Sequence, residues 1–317
     1  MGMQKKVLVT GGLGFLGRAV ARLFSASGCS VVGLGHGKCT ASAARSLGYT
    51  AWFEGELSSA SLAELPGAFD VVVHCAASSS VAYSLDHPLE AFRSTVQGTA
   101  ELLDHLRRTS PGALLLFPSS AAVYGAADDR PLVETDAPNP VSPYGFYKLM
   151  TEELLDCYAQ CHGIGVASVR FFSIYGPGLR KQLLWDAANR LLSGASPAMF
   201  WGTGEETRDW IHVEDAASLL FALSTRTESR LIVNGASGER ITVAAMLDML
   251  RGALGVDTPF AFNGTIKPGD PRFYHADTSR LRGLGWTPAV TLSQGLAEYA
   301  DWVKRASVTS AAEASGH

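Results

Sequence analysis

Residues 7–17 read VLVTGGLGFLG. An apolar run ends at Thr10, then Gly11, Gly14 and Gly17 follow at intervals of three and open a helical pattern from Phe15 to Ser27. One glycine makes a tight turn, a second lets backbone approach a pyrophosphate, and a third lets helix and strand pack closely. The N-terminus of the helix then faces the phosphate charge. The spacing predicts strand, phosphate-binding loop and helix, in that order.

Working outward, the same alternation continues. Lys6–Thr10, Ser30–Leu34, Thr50–Phe53, Asp70–Cys75 (DVVVHC), Ala113–Pro118 (ALLLFP) and Val166–Phe172 (VASVRFF) read as strands. Helical patterns near Pro88–Arg108 and Ser142–His162 lie between the later ones. Continuous apolar runs separated by helices mean strands buried on both faces, hence a parallel sheet. After Phe172 glycine and proline become frequent and the rhythm breaks, with a returning strand near Arg230–Asn234. The expected architecture is α/β: a Rossmann-type doubly wound parallel sheet with a smaller C-terminal α/β substrate lobe. Residues 1–172, with a return near 211–234, form the dinucleotide-binding domain. Residues 173–210 and 235–305 form the lobe, and the small, polar tail 306–317 is expected to be disordered.

Composition bounds the function. The 317 residues are 47% hydrophobic and 18% charged, with a net charge of −4. No basic run marks a nucleic-acid partner. No apolar stretch approaches the roughly 18 residues of a membrane span. The opening MGMQKKVLVTGG leads straight into a strand without a cleavage pattern, so a cytoplasmic location is expected. The cysteines, Cys29, Cys39, Cys75, Cys157 and Cys161, show no paired CxxC spacing. Neither a disulfide framework nor a metal site is expected. Cys157, Cys161 and His162 are read as part of a buried helix face.

Two stretches carry the chemistry. SSAAVYG (119–125) ends the fifth strand, and SPYGFYKLM (142–150) opens the long helix. Ser142 suits an N-cap and Pro143 the first helical position. Tyr144 and Lys148, four apart, then share a face, whereas Tyr147 lies about 100° round from Lys148. A free phenol has a pKa near 10 and is a poor base at neutral pH. A nearby ammonium and a cationic nicotinamide are expected to lower it. Tyr144 would then exchange a proton with a substrate hydroxyl while hydride moves at the same carbon, and Ser120 would hydrogen-bond the same oxygen.

With these residues in view, the chain resembles the extended short-chain dehydrogenase/reductases that act on nucleotide sugars, the NAD(P)-dependent epimerase/dehydratase group. The matching elements are TGGLGFLG, VVHCAA, SSAAVYG, the Tyr144–Lys148 pair, RFFSIYGPG, RDWIHVEDAA and KPGDPRFYHADTSRLRGLGWTP. The resemblance implies that Gly11, Gly14 and Gly17, with Phe15 and Leu16 between them, cradle the pyrophosphate. It implies that Glu56 and Leu57 stand beside the adenine and that Ala76 and Ala77 line the cofactor channel. Ser120, Tyr144 and Lys148 would be the catalytic set, Lys148 also reaching the nicotinamide ribose. Arg208 would contact the sugar-nucleotide diphosphate, with Lys267 in the usual place of a second arginine and Arg272 compensating for its lost bidentate geometry. Ser173, like Thr95, stands where the group commonly has asparagine. A homodimer through helices 88–108 and 142–162 is a further implication.

Ser120 is followed by Ala121 and Ala122, where dehydratases of the group carry an acidic pair, so dehydration is not expected. Hydride chemistry at C4 of a nucleoside-diphosphate sugar remains. The main expectation is a 4-keto sugar nucleotide reductase; the alternative is a 4-epimerase. A non-catalytic dinucleotide sensor is disfavoured because both Tyr144 and Lys148 are present. The second strand ends in GLGHGK (33–38). Gly35 replaces the carboxylate that would hold a ribose 2′-hydroxyl and repel a 2′-phosphate, and His36 and Lys38 follow it. NADP(H) is therefore expected over NAD(H).

Overall fold

The computed structural model describes residues 4–78, 80–126, 128–226, 228, 230–265 and 272–314. β1 (Lys6–Thr10) feeds α1 (Phe15–Ala26), β2 (Ser30–Gly35) feeds α2 (Ala41–Ser46), and β3 (Ala51–Glu54) feeds α3 (Ser59–Ala63). β4 (Val71–His74) leads to two short helices, α4 (Val81–Asp86) and α5 (Pro88–Phe92), and then to α6 (Gly98–Thr109). β5 (Leu114–Ser120), α7 (Pro143–His162) and β6 (Gly165–Phe171) complete the alternation. Beyond it come β7 (Ser173–Tyr175), α8 (Gln182–Leu192), β8 (Ala198–Phe200), β9 (Thr207–Arg208), β10 (Trp210–His212) and α9 (Val213–Leu223). β11 (Arg230–Gly235), β12 (Ile241–Thr242), α10 (Val243–Leu254), β13 (Phe260–Phe262), α11 (Ser279–Gly283) and α12 (Leu292–Ala314) follow.

Among the described residues, seven strands form one sheet in the order β11-β6-β5-β4-β1-β2-β3. Every neighbouring pair in it is parallel. This is a Rossmann-like fold. The apolar runs are continuous because both faces are covered. Val7 and Val9 pack with Val20 and Phe24 of α1 and Leu219 and Leu220 of α9. Leu8, pointing the other way, packs with Leu102, Leu103 and Leu106 of α6 and Leu155 of α7. The strand order reverses between β1 and β4, which opens a crevice at their carboxyl ends, where such sheets bind ligands. A second core joins α8, α10 and α12 through Leu184, Leu191, Met246, Leu250, Tyr299 and Val303.

Three features depart from the sequence reading. The helix expected over 88–108 is broken by a π-turn at Arg93–Gln97. Thr99 Oγ1 donates to Thr95 O at 2.5 Å, a side-chain bond that competes with the regular backbone ladder. The tail expected to be disordered is helical as far as Ala314: α12, once nucleated at Leu292, propagates through alanine-rich sequence that favours helix; residues 315–317 lie outside the described residues. Cys157 and Cys161 are exposed rather than buried, because α7 turns that face to solvent.

Candidate active site

The crevice holds a cavity of about 990 Å³, at the upper end of what small-molecule sites offer, roughly 300–1,000 Å³. Gly11, Gly14, Phe15, Leu16 and Gly17 form one wall. Gly11 has φ +63°, and a Cβ there would lie 2.7 Å from Ala76 N, so only glycine fits. A Cβ on Gly17 would meet Gly11 O at 2.5 Å, which is why α1 can start so close to the turn. Gly35, His36, Glu56, Leu57, Ala76 and Ala77 continue the lining, and Ser120, Tyr144 and Lys148 close it.

Local structure explains how the last three meet. β5 pairs with β4 only through Leu114–Leu116, so Pro118 lies beyond that ladder and its missing N–H breaks no bond with β4. The Pro118 carbonyl accepts from Lys148 Nζ at 2.8 Å. Ser142 caps α7 by accepting from Gly145 N at 3.2 Å, Pro143 follows at the first helical position, and Gly163 ends the helix at φ 70°. Ser84 Oγ accepts from Tyr144 N at 3.0 Å and ties α4 to this helix start. Tyr147 turns away and packs edge-on against Phe92 at 5.6 Å.

The electrostatics differ from the sequence expectation. Burial pushes the Tyr144 phenol above its ordinary value, opposed by a hydrogen bond with Ser120. Ser120 Oγ accepts from Ala122 N at 3.2 Å, which leaves the Ser120 proton to donate to an oxygen beside it. Burial lowers Lys148 to about 8. Its ammonium lies 4.5 Å from the Phe117 ring centroid and 5.8 Å from that of Tyr144. Burial thus acts on both groups against their charged forms, raising the phenol and lowering the ammonium.

Other sequence-derived candidates sit elsewhere. Lys38 is exposed and outside the cavity lining. Ser173 starts β7, and its N–H donates to Asp209 O at 2.9 Å, while its neighbours Phe172 and Ile174 line the cavity. Arg208 donates to Thr207 O at 2.8 Å and lies 6.0 Å from the Tyr274 ring. Arg272 is 3.5 Å from Glu205 and 5.2 Å from the Phe273 ring. Neither arginine is among the lining residues. Lys267 lies outside the described residues.

Sequence reasoning missed Arg93, Ser94 and Gln97, which the π-turn directs to the cavity, and Lys181 and Gln182 at the start of α8. The turn is held by a directional hydrogen-bond relay. Thr99 Oγ1 gives its proton to Thr95 O, so its oxygen accepts from His74 Nε2 at 2.9 Å. Nδ1 then accepts from Thr10 Oγ1 at 2.7 Å, and that oxygen accepts from Ala76 N at 3.2 Å. Thr95 Oγ1 accepts from Ser78 N at 3.1 Å. His74 must be neutral here. Burial, aided by the charge of Lys148, lowers it to about 3. A folded pKa below the unfolded value near 6.5 means full stability above pH 6.5 and progressive loss as pH falls toward 3. Between pH 6.5 and 4 the melting temperature of the wild type should fall more steeply than that of His74→Gln; equal slopes would remove His74 from the acid response.

The NAD dependent epimerase/dehydratase family model matches residues 7–235. The chain belongs to that family. It is an enzyme of the extended short-chain dehydrogenase/reductase type. UDP-glucose 4-epimerase of Azospirillum brasilense is 31% identical over 310 residues, covering 89% of this chain and 87% of that protein. UDP-glucuronic acid 4-epimerase of Bacillus cereus, solved with UDP-glucuronic acid and NAD, aligns with a TM-score of 0.84 at 26% identity over 95% of this chain and 99% of that one. UDP-N-acetylglucosamine 4-epimerase of Methanobrevibacter ruminantium shares the fold, with a TM-score of 0.87 at 24% identity over 96% and 99% of the two chains. The residues present fit the family's dinucleotide: a glycine-walled helix start for the phosphates, and a cavity running from there to Tyr144 and Lys148.

Proposed function

We propose that the protein is an NAD-dependent UDP-sugar 4-epimerase. The observation that carries this reading is the convergence of Ser120, Tyr144 and Lys148 on one cavity with the dinucleotide loop, with Ala121 and Ala122 following Ser120. Neither alanine can act as the acid or base that an elimination needs. A dinucleotide bound in the cavity supplies reversible hydride acceptance at the sugar carbon. Tyr144 Oη takes the hydroxyl proton as that carbon becomes a ketone and returns it on reduction. Ser120 donates to the same oxygen, and Lys148, anchored by Pro118 O, holds positive charge beside the phenolate.

The 4-keto reductase reading and the preference for NADP(H) both leaned on the GLGHGK turn. Lys38 does not line the cavity, whereas Glu56 and Glu101 do, and carboxylates disfavour a 2′-phosphate. The support therefore moves to the epimerase and to NAD(H), in keeping with what the relatives' names state. Arg208, Arg272, Lys267 and Ser173 remain proposed substrate contacts, carried by the lobe 173–210 and 235–305. The test is proton NMR of UDP-glucose, UDP-glucuronate and UDP-N-acetylglucosamine with enzyme and catalytic NAD⁺. An epimerase inverts C4 without net cofactor change. Inertness toward all three, with stoichiometric NADPH oxidation on a 4-keto sugar nucleotide, would restore the reductase.

We also propose a homodimer and a cytoplasmic setting. Leu85, Leu89, Phe146 and Met150 leave an exposed apolar face on α4, α5 and α7, helices that pack together. Light scattering should report twice the chain mass for the wild type and one chain mass for Leu89→Glu/Met150→Glu; a monomeric wild type would refute the dimer. Exposed free thiols at Cys157 and Cys161 suit a reducing compartment. Among the described residues no helix is long and apolar enough to cross a membrane.

A further inference from the structure

We propose that Tyr49 and Trp52 form an aromatic brace that sets the adenosine half of the dinucleotide site, Tyr49 by holding the phosphate loop and Trp52 by presenting the ribose loop through its main chain. Neither residue lines the cavity, so both are positioning residues.

Tyr49 is 2% exposed, and its Oη donates to Gly12 O at 2.7 Å, with Gly17 O at 3.4 Å. Burial pushes its phenol well above the ordinary value, so it remains a donor throughout the accessible pH range. A Cβ on Gly12 would collide with that hydroxyl. The second glycine of TGGLG is thus explained by what lies beneath it. Gly33 is explained likewise: it faces Trp52 across the β2–β3 ladder, and a Cβ there would meet the indole at 2.6 Å and the Tyr49 ring at 2.8 Å. The two rings pack at 5.6 Å. They lie over Gly33 and Gly35, the two positions of β2 without a side chain.

Trp52 then reaches the end of β2. Its Nε1 donates to Gly37 O at 3.1 Å, and its ring edge lies 3.4 Å from where a Gly35 Cβ would be. Gly35 O accepts from Gly55 N at 3.0 Å. The loop that would otherwise carry a ribose-binding carboxylate is instead fixed at two carbonyls. What it offers to the ribose is backbone, with His36 beside it in the lining. One pair of adjacent aromatics therefore couples phosphate grip to ribose fit.

The inference concerns the dinucleotide alone and does not depend on which sugar is turned over. Calorimetry on the intact chain with NAD⁺, NADP⁺ and UDP tests it without any assay of turnover. Tyr49→Phe keeps the ring and removes one hydrogen bond, so the Kd for NAD⁺ and NADP⁺ should rise together by about 3- to 10-fold. Trp52→Phe should weaken NAD⁺ by a similar factor and also shift the ratio of NAD⁺ to NADP⁺ affinity, a change that general loosening does not produce. The Kd for UDP should stay unchanged in both. Unchanged NAD⁺ affinity in Tyr49→Phe, or UDP affinity falling by the same factor, overturns the Tyr49 half. A Trp52→Phe protein with a wild-type cofactor ratio overturns the Trp52 half. Trp52 is only partly buried, so its variant keeps the test decisive if Tyr49→Phe fails to fold.

Discussion

Tyr144→Phe is expected to lower turnover by about 10²–10⁴-fold, the usual contribution of a positioned proton-transfer group, with dinucleotide affinity unchanged. The ring stays, so the packing at the start of α7 stays. The backbone bond from Tyr144 N to Ser84 is untouched, and so is the Lys148 contact with Pro118 O. Only the oxygen that Ser120 can reach is lost. The measurement is kcat by NMR of C4 inversion, alongside calorimetry with NAD⁺. Retention of more than about a tenth of the wild-type kcat would assign the proton to another group.

Glu152→Ala is expected to cost about 3–5 kcal/mol of folding stability, the toll of leaving one member of a buried ion pair uncompensated. Glu152 and Arg170 are each 4% exposed in their side chains, and Arg170 Nη2 lies 2.7 Å from Glu152 Oε2. Arg170 Nε reaches both carboxylate oxygens at 3.2 Å, and Ser119 Oγ donates to Oε1 at 2.5 Å. Without the carboxylate, Arg170 keeps the Glu134 carbonyl at 3.3 Å and the Tyr124 face at 4.8 Å, too little to balance a desolvated guanidinium. Urea unfolding with the slope held constant reads the loss directly. A deficit under about 1 kcal/mol would place this pair with exposed salt bridges.

The glycine triad and the Tyr144–Lys148 pair were legible because each is a local rule: a turn before a helix, and a four-residue spacing on one face. The parallel sheet was legible through continuous apolar runs that only a two-faced sheet explains, whereas the order of its seven strands comes from the structure. The π-turn was not legible, since residues 88–108 keep a helical pattern throughout and the bonds that accompany the break run to His74 and Ser78, distant in sequence. Lys38 lies outside the cavity lining, and sequence could not place it because a glycine-flanked turn leaves side-chain direction undetermined and the Trp52 bond to the neighbouring Gly37 carbonyl spans 15 residues. Spacing conveyed the proximity of Lys148 to Tyr144 but not the burial of both groups, which pushes the phenol up and the ammonium down.

The placement of β11 bears on how the chain is made. The phosphate loop, Ser120, Tyr144 and Lys148 all precede residue 172, yet β6 gains its outer partner only when Arg230–Gly235 arrives. Asn234 on that late strand also accepts from Tyr124 Oη at 2.6 Å and donates to Leu132 O at 2.9 Å. A nascent chain stopped before it therefore exposes an open, apolar strand edge and a buried tyrosine hydroxyl without its acceptor. Synthesis at roughly 5–20 residues per second leaves that edge uncovered for several seconds, long enough for neighbouring chains on a polysome to pair with it.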